Sequence, residues 1–186
     1  MTTAAPIRVI VPAPHPHQAR FIASWAKRRV VRAGRRGGKT VGAAILSIEA
    51  FLGATDAQGN VTVAPRRVLY AAPTSEQLDA YWYEVTRALA PLVIDCGYLR
   101  KNETEHTIER PGTKQRLRAK TAWNADTMRG DYADLLILDE YQLMSEDAWG
   151  QVGAPMLLDN DGDAVFIYTP PSLHSAGVSK ARDPRH

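Results

Sequence analysis

The chain has 186 residues, enough for one compact domain with a sizeable core and too few for two full-sized ones. Its 45% hydrophobic and 23% charged residues exclude a disordered or low-complexity chain, and its one cysteine, Cys96, excludes an intrachain disulfide. The net charge of +3 hides two basic clusters, at 27–36 (Lys27, Arg28, Arg29, Arg32, Arg35, Arg36) and 110–120 (Arg110, Lys114, Arg116, Arg118, Lys120), which suit a polyanion or else form solvated faces.

In chain order, residues 1–14 are rich in proline and alanine and are expected to run extended over the surface. They lack the basic leader and apolar core of a signal peptide, and no apolar run approaches the roughly 20 residues of a membrane span. A soluble intracellular protein with no membrane partner is the expectation. Phe21, Ile22 and Trp25 recur at helical spacing and predict a short amphipathic helix over 16–27. A strand over 29–33 then leads through Gly34-Arg35-Arg36-Gly37-Gly38 into a helix over 39–52, and residues 53–65 read as a loop. Residues 67–72 predict a second strand. Thr74 caps a helix to about residue 90, with Glu76 and Gln77 in its first turn.

Residues 105–109 and 114–119, joined by Arg110-Pro-Gly-Thr113, predict a β-hairpin insertion, and 124–128 a single helical turn. A buried strand over 135–139 precedes a helix capped by Ser145 and lasting to 157, and a last strand over 163–169 stops at Pro170-Pro171. Strands alternating with helices predict an α/β fold with a mostly parallel sheet. The stretch from 172 to 186 carries no element. The expectation is a single domain over 1–186 that belongs to a longer protein.

Ala33-Gly-Arg-Arg-Gly-Gly-Lys-Thr40 follows a predicted strand and opens a predicted helix, the context of a Walker A loop. Glycines let successive backbone N–H groups converge on phosphate oxygens, and the helix N-terminus favours negative charge. Gly34, Gly37 and Gly38 are therefore candidate phosphate binders, with Arg35 and Arg36 neutralising phosphate charge. Lys39 would reach the β- and γ-phosphates of ATP and Thr40 would ligate Mg²⁺. Ala33 departs from the leading glycine of the pattern, which restricts the first turn without blocking it.

Leu135-Leu-Ile-Leu-Asp-Glu140 has the form of a Walker B strand. Adjacent carboxylates at the end of an apolar strand are costly without a cation or another partner. Asp139 is the candidate for the Mg²⁺ shell, and Glu140 for the general base that orients water. A base directly after the metal acid implies the ASCE branch of P-loop NTPases, which carries an extra strand between the two Walker strands. The strand over 67–72 is the candidate for it.

Three further features resemble the bacteriophage large terminase, the ATPase of viral DNA packaging. They are the arginine-bearing Walker A without its first glycine, Arg129-Gly130 shortly before the Walker B strand, and Phe166-Ile-Tyr-Thr-Pro-Pro171, which is similar to that family's coupling motif. Gln18, before the first core strand, is similar to a glutamine that reads adenine.

The resemblance implies that Arg129 acts as an arginine finger in a neighbouring subunit's site and that Thr169 senses the γ-phosphate. It further implies ATP and Mg²⁺ as cofactors, and double-stranded DNA, a portal protein and a small terminase subunit as partners. It implies a homo-oligomeric ring, expected to be a pentamer, working in the cytoplasm of an infected bacterium, and a C-terminal nuclease for which these 186 residues leave no room. Plainer readings stay open: Arg129 as a surface arginine, Thr169 as a strand-end cap, Gln18 as an ordinary helix residue, Arg35 or Arg36 as the catalytic arginine. A helicase-like translocase and a nucleotide-binding module without turnover are the alternative functions.

Overall fold

The computed structural model describes residues 9–34, 36–122, 128, 130–145, 147–158 and 160–170. Seven strands form one sheet in the order β1-β9-β8-β4-β7-β6-β5. The first five in that order are parallel: β1 (Arg28–Arg32), β9 (Asp163–Tyr168), β8 (Leu135–Leu138), β4 (Val68–Ala72) and β7 (Arg116–Thr121). The antiparallel strands β6 (Thr107–Glu109) and β5 (Arg100–Asn102) extend it at the far side. Among the described residues β1 pairs on one side only, with β9.

Side-chain alternation splits the core in two. Val68, Tyr70, Leu135, Ile137, Val165 and Ile167 face one way, onto α2 (Lys39–Leu52) and α3 (Ser75–Ala90). Leu69, Leu136, Leu138, Ala164 and Phe166 face the other, onto Tyr141, Met144 and the short α4 (Ala154–Leu158). Strands covered on both faces are apolar at nearly every position, which is why β4, β8 and β9 read as continuous apolar runs.

Most expected elements are present, and the departures have local causes. The strand between β1 and β8 is β9, not 67–72: β4 lies on the far side of β8. A parallel strand pairs wherever its crossover delivers it, so an apolar run does not disclose which neighbour it takes. The expected hairpin is β6–β7, but β7 also pairs in parallel with β4 and so belongs to the main sheet. Residues 103–106 form the turn from β5 to β6, with His106 at φ 47°, so Glu105 is not in a strand. The expected loop 53–65 holds a small ribbon, β2 (Ala54–Thr55) with β3 (Val61–Val63), closed by Asp56, whose carboxylate accepts from the Gln58 and Asn60 amides.

Among the described residues the buried Ser145 hydroxyl has no hydrogen-bond partner, so no side-chain cap is seen, and a π-helical turn, Ala148–Gly153, leads into α4. Pro155 near the start of α4 has no N–H to close an i−4 bond, and a wider turn before it is one way the chain accommodates that. A second wide turn, Pro91–Asp95, itself begins at a proline and ends α3. The predicted turn over 124–128 lies outside the described residues except for Met128, which is buried. No helix among the described residues is long and apolar enough to cross a membrane.

Candidate functional site: a phosphate loop facing paired carboxylates

Parallel strands β1, β9 and β8 end on the same side of the sheet, so Ala33–Gly38, Thr169 and Asp139-Glu140 converge there. The Ala33 N–H donates to the Tyr168 carbonyl (3.2 Å), which ties the start of the loop to β9. Within the loop Arg36 and Gly38 take positive φ, 62° and 69°. At Gly37 a Cβ would stand 3.0 Å from the Gly34 carbonyl oxygen and 3.2 Å from the Ala33 methyl, so any side chain there would press the turn of the loop open by a few tenths of an ångström. Gly38 is the N-cap of α2 and offers no side chain, leaving the first-turn amides of a 14-residue helix to an external acceptor.

Gln18 is buried beneath this loop. Its Oε1 accepts from the His15 amide (2.6 Å) and its Nε2 donates to the Gly38 carbonyl (2.6 Å), so it ties α1 (Pro16–Ile22) to the phosphate loop. His15 and His17 stand at the start of α1, where the His15 ring accepts from the His17 amide as a cap. A cleft of about 1040 Å³ opens on this side, lined by Gln18, Arg36, Gly37, Gly38 and Lys39 at one end and by β1 along the other. Asp139, Glu140 and Thr169 do not line that cleft, because Lys39 lies between, its side chain only 9% exposed.

Lys39 is the hub. Its Nζ donates to the Ala33 carbonyl (3.1 Å) and to the Thr169 hydroxyl, and pairs with Glu140 Oε1 at 3.2 Å. Glu140 also accepts from the Thr169 hydroxyl, the Thr169 amide (3.2 Å) and the Gln142 side-chain amide (2.5 Å). Burial pushes the Glu140 carboxyl up, but the Thr169 and Gln142 hydrogen bonds and the Lys39 charge outweigh it and hold the group below the usual range. Glu140 sits at φ 48°, ψ 44°, a left-handed conformation that costs a non-glycine residue about 1–2 kcal/mol and aims its side chain back across the strand ends.

Asp139 is 3% exposed, and burial raises its carboxyl above the usual value. Its Oδ1 accepts from the Glu140 amide (2.9 Å) and its Oδ2 from the Tyr70 hydroxyl (2.6 Å). Thr40 occupies the first turn of α2. No group of three or more His, Cys, Asp or Glu residues able to hold a metal is found among the described residues. Two hard oxygen donors beside a phosphate loop fit Mg²⁺, which keeps waters and phosphate oxygens in its shell and takes few protein ligands.

The structure thus brings together Lys39, Asp139, Glu140 and Thr169, and sets Gln18, Gly37 and Gly38 around the loop. Arg35 and Arg129 lie outside the described residues. Tyr70, Gln142 and the carbonyl of Ala33 join the site without having been anticipated. The tyrosine left one trace in the sequence, a hydroxyl-bearing residue in the otherwise aliphatic run Val68-Leu-Tyr-Ala-Ala72.

Much of the basic clustering is used internally. Asp163 takes Lys27, Arg29 and Arg66 at the other end of the sheet (3.5, 3.3 and 2.8 Å). Asp131 takes Arg116, Arg118 and Lys120, three residues of one face of β7 (3.0, 3.1 and 2.6 Å).

No family model matches the chain. It is 28% identical over 176 residues to the large terminase subunit of Thermus virus P23-45, and 27% identical over 176 residues to that of Thermus phage G20c. These matches cover 87% of this chain and 34% of each relative, so the chain spans about a third of the length of the curated relatives it matches. Among solved structures, the large terminase ATPase domain of Thermus phage P74-26 superposes with a TM-score of 0.67 at 25% identity, over 87% of this chain and 67% of that one. The HK97 bacteriophage large terminase superposes with a TM-score of 0.68 at 15% identity, over 96% and 40%. The large terminase of a thermophilic bacteriophage in complex with ADP does so at 0.55 and 17%, over 83% and 38%, which, like the HK97 match, speaks for the fold alone. The chain is therefore similar to bacteriophage large terminase subunits and has the P-loop NTPase fold of their ATPase domain.

Proposed function

We propose that this chain hydrolyses ATP with Mg²⁺ as the motor domain of a viral DNA-packaging terminase, driving double-stranded DNA into a procapsid. The observation that carries the reading is the convergence of Lys39, Glu140 and Thr169 at the carboxyl ends of three parallel strands, beside a glycine loop whose helix has no side-chain cap. A lysine, a carboxylate and a hydroxyl in mutual contact answer the needs of phosphoryl transfer to water: a cation for the γ-phosphate, a base for the nucleophile, and a group that detects the phosphate. Relatives named as large terminase subunits, and the 25% identical large terminase ATPase domain, support the same reading.

Phosphate oxygens would seat on the amides of Gly34–Lys39 and at the N-terminus of α2, and Lys39 would turn from Glu140 to them. Glu140, freed of that pair, would accept a proton from water aimed at the γ-phosphorus. Thr169, bonded to both Lys39 and Glu140, would sense loss of the phosphate and pass the change to β9. Thr40 and Asp139 would hold Mg²⁺, whose contribution is to neutralise charge on the phosphate oxygens. The base would lie towards Gln18 and the cleft beside α1.

Arg129 is proposed as a finger supplied to the next subunit of a ring, expected to have five members, an effect on the order of 10³–10⁵ in rate. A portal protein and a small terminase subunit are the proposed partners, in the cytoplasm of an infected bacterium.

The test is ATP turnover against protein concentration, with and without double-stranded DNA, for the parent, Glu140→Ala and Arg129→Ala. Turnover per molecule that rises with concentration, is lost in both variants and partly returns on mixing them supports a ring with a shared site. Turnover independent of concentration and indifferent to Arg129 refutes the shared site, and turnover indifferent to Glu140 refutes the assignment of the base.

A further inference from the structure

Asp139 is held in a way that its role as a metal acid does not by itself require. It follows β8 directly, is 3% exposed, and has each carboxylate oxygen engaged by a donor. One donor, the Glu140 amide, is backbone and comes with the turn. The other is the hydroxyl of Tyr70, three positions into β4, the strand that pairs with β8 on the side away from β9.

Tyr70 is fully buried, and its ring lies flat on that of Tyr81 from α3, with centroids 3.6 Å apart and planes 1° from parallel. A ring clamped between a strand and a helix cannot swing its hydroxyl off the carboxylate without breaking that stack. A carboxylate oxygen only accepts and a phenol O–H donates, so the bond runs from Tyr70 to Asp139. An aspartate has two free torsions. A backbone amide on one oxygen and a rigid phenol on the other leave one rotamer, with the remaining lone pairs of both oxygens in fixed directions.

From this geometry we infer that Tyr70 is a positioning residue for the metal shell: it fixes the carboxylate of Asp139 in the orientation that receives hydrated Mg²⁺ when nucleotide binds. The inference rests on the reading of Asp139 as the metal acid. It assigns to β4, which carries no motif of its own, a share in metal affinity. The clamp reaches from α3 through Tyr81 and Tyr70 to Asp139, so repacking of α3 against the sheet is coupled to the metal shell.

The experiment measures Mn²⁺, standing in for Mg²⁺, by electron paramagnetic resonance titration of the ADP-loaded chain, together with calorimetric ADP affinity in chelator. Tyr70→Phe keeps the stack and removes only the hydroxyl. It is expected to weaken Mn²⁺ about 10-fold or more, in the range seen when an outer-shell partner of a metal ligand is lost, and to leave metal-free ADP affinity and cooperative melting intact. Tyr81→Phe, which removes a hydroxyl lying by Ser47 and not by Asp139, is the control expected to leave Mn²⁺ affinity unchanged.

A Tyr70→Phe chain that binds Mn²⁺ within about twofold of the parent, while Asp139→Asn loses it, overturns the positioning role but not the metal acid. Equal loss in Tyr70→Phe and Tyr81→Phe also overturns it, because the effect is then general loosening. An Asp139→Asn chain that binds Mn²⁺ like the parent overturns the reading of Asp139 itself, and the inference with it.

Discussion

Replacing Asp131 by asparagine tests whether the β7 cations are held by a single buried charge. The Asp131 side chain is 4% exposed and meets Arg116 Nη2 at 3.0 Å, Arg118 Nη1 at 3.1 Å and Lys120 Nζ at 2.6 Å. Hydrogen bonds to charged groups are worth about 1.5–3 kcal/mol each, and stranding the partner of a fully buried ion pair costs about 3–5 kcal/mol. The three cations here are 33%, 23% and 22% exposed, so water recovers part of the loss. Asparagine also keeps the shape and one acceptor. The net destabilisation expected is about 2–3 kcal/mol, discounted from the buried-pair figure for that screening.

For a chain of this size each kcal/mol moves Tm by about 2–4 °C, which gives a drop of roughly 5–10 °C by calorimetry at low salt. Salt supplies a second readout. Three like charges left together repel, and raising ionic strength from about 0.1 M towards 1 M shortens the screening length from about 10 Å to 3 Å, so the deficit of the variant narrows. A melt within about 1 °C of the parent, or a deficit that widens with salt, refutes this account of Asp131. The backbone amide of Asp131 donates to the Met128 carbonyl (3.3 Å) across Gly130 at φ 77°, a bond that the substitution leaves in place, so the loss is confined to the side-chain cluster.

Gly38→Ala puts a methyl on a residue at φ 69° and within 2.6 Å of Gln18 Nε2; a loss of about 1–2 kcal/mol in stability and a clear drop in ADP affinity are expected, by melting and calorimetry. Unchanged ADP affinity would remove Gly38 from the phosphate loop. For Glu140, the folded-state carboxyl lies below its ordinary value of about 4.5, so its stabilisation is fully present above that pH and is lost as pH falls through the folded value. Melting of the parent and Glu140→Gln should therefore differ at pH 7 in favour of the parent and converge as the pH falls below about 4.5. A gap that is constant with pH would mean that shape, and not the Lys39 and Thr169 contacts, accounts for it.

How much of this was legible in the sequence depended on whether a residue acts through its neighbours in the chain or across the sheet. The candidate phosphate loop is local. Glycines at fixed offsets, a lysine and a helix start were readable at 34–40, and α2 has the expected bounds, Lys39–Leu52. Asp139 and Glu140 were readable because two acids after four apolar residues are costly without a purpose. Strand order was not readable: β9 and β4 are both short, apolar and buried, and only the crossovers decide which lies between β1 and β8. Tyr70 and Asp131 escaped for the same reason, since their partners are 69 and about 11–15 positions away and meet them only through sheet pairing or a returning loop. The basic clusters showed the converse failure: composition displayed Arg29 and Arg118 as free charge, whereas each has an acid from another segment.

Among the described residues β1 lies at the edge of the sheet, and that position has a consequence for colloidal behaviour. A strand with one side of its backbone unpaired presents a template on which another chain can nucleate, and the apolar pair Val30-Val31, the first of them 44% exposed, would favour that growth. Arg28 and Arg32, at the two ends of the strand, are both exposed. Bringing two such edges together sets like charges face to face, so these arginines act as gatekeepers against self-association, Arg28 while also donating to the Gly162 carbonyl (2.8 Å). Replacing Arg32 by valine would leave three consecutive valines on the edge, and the first sign of damage would be turbidity in concentrated solution, not a lower melting point.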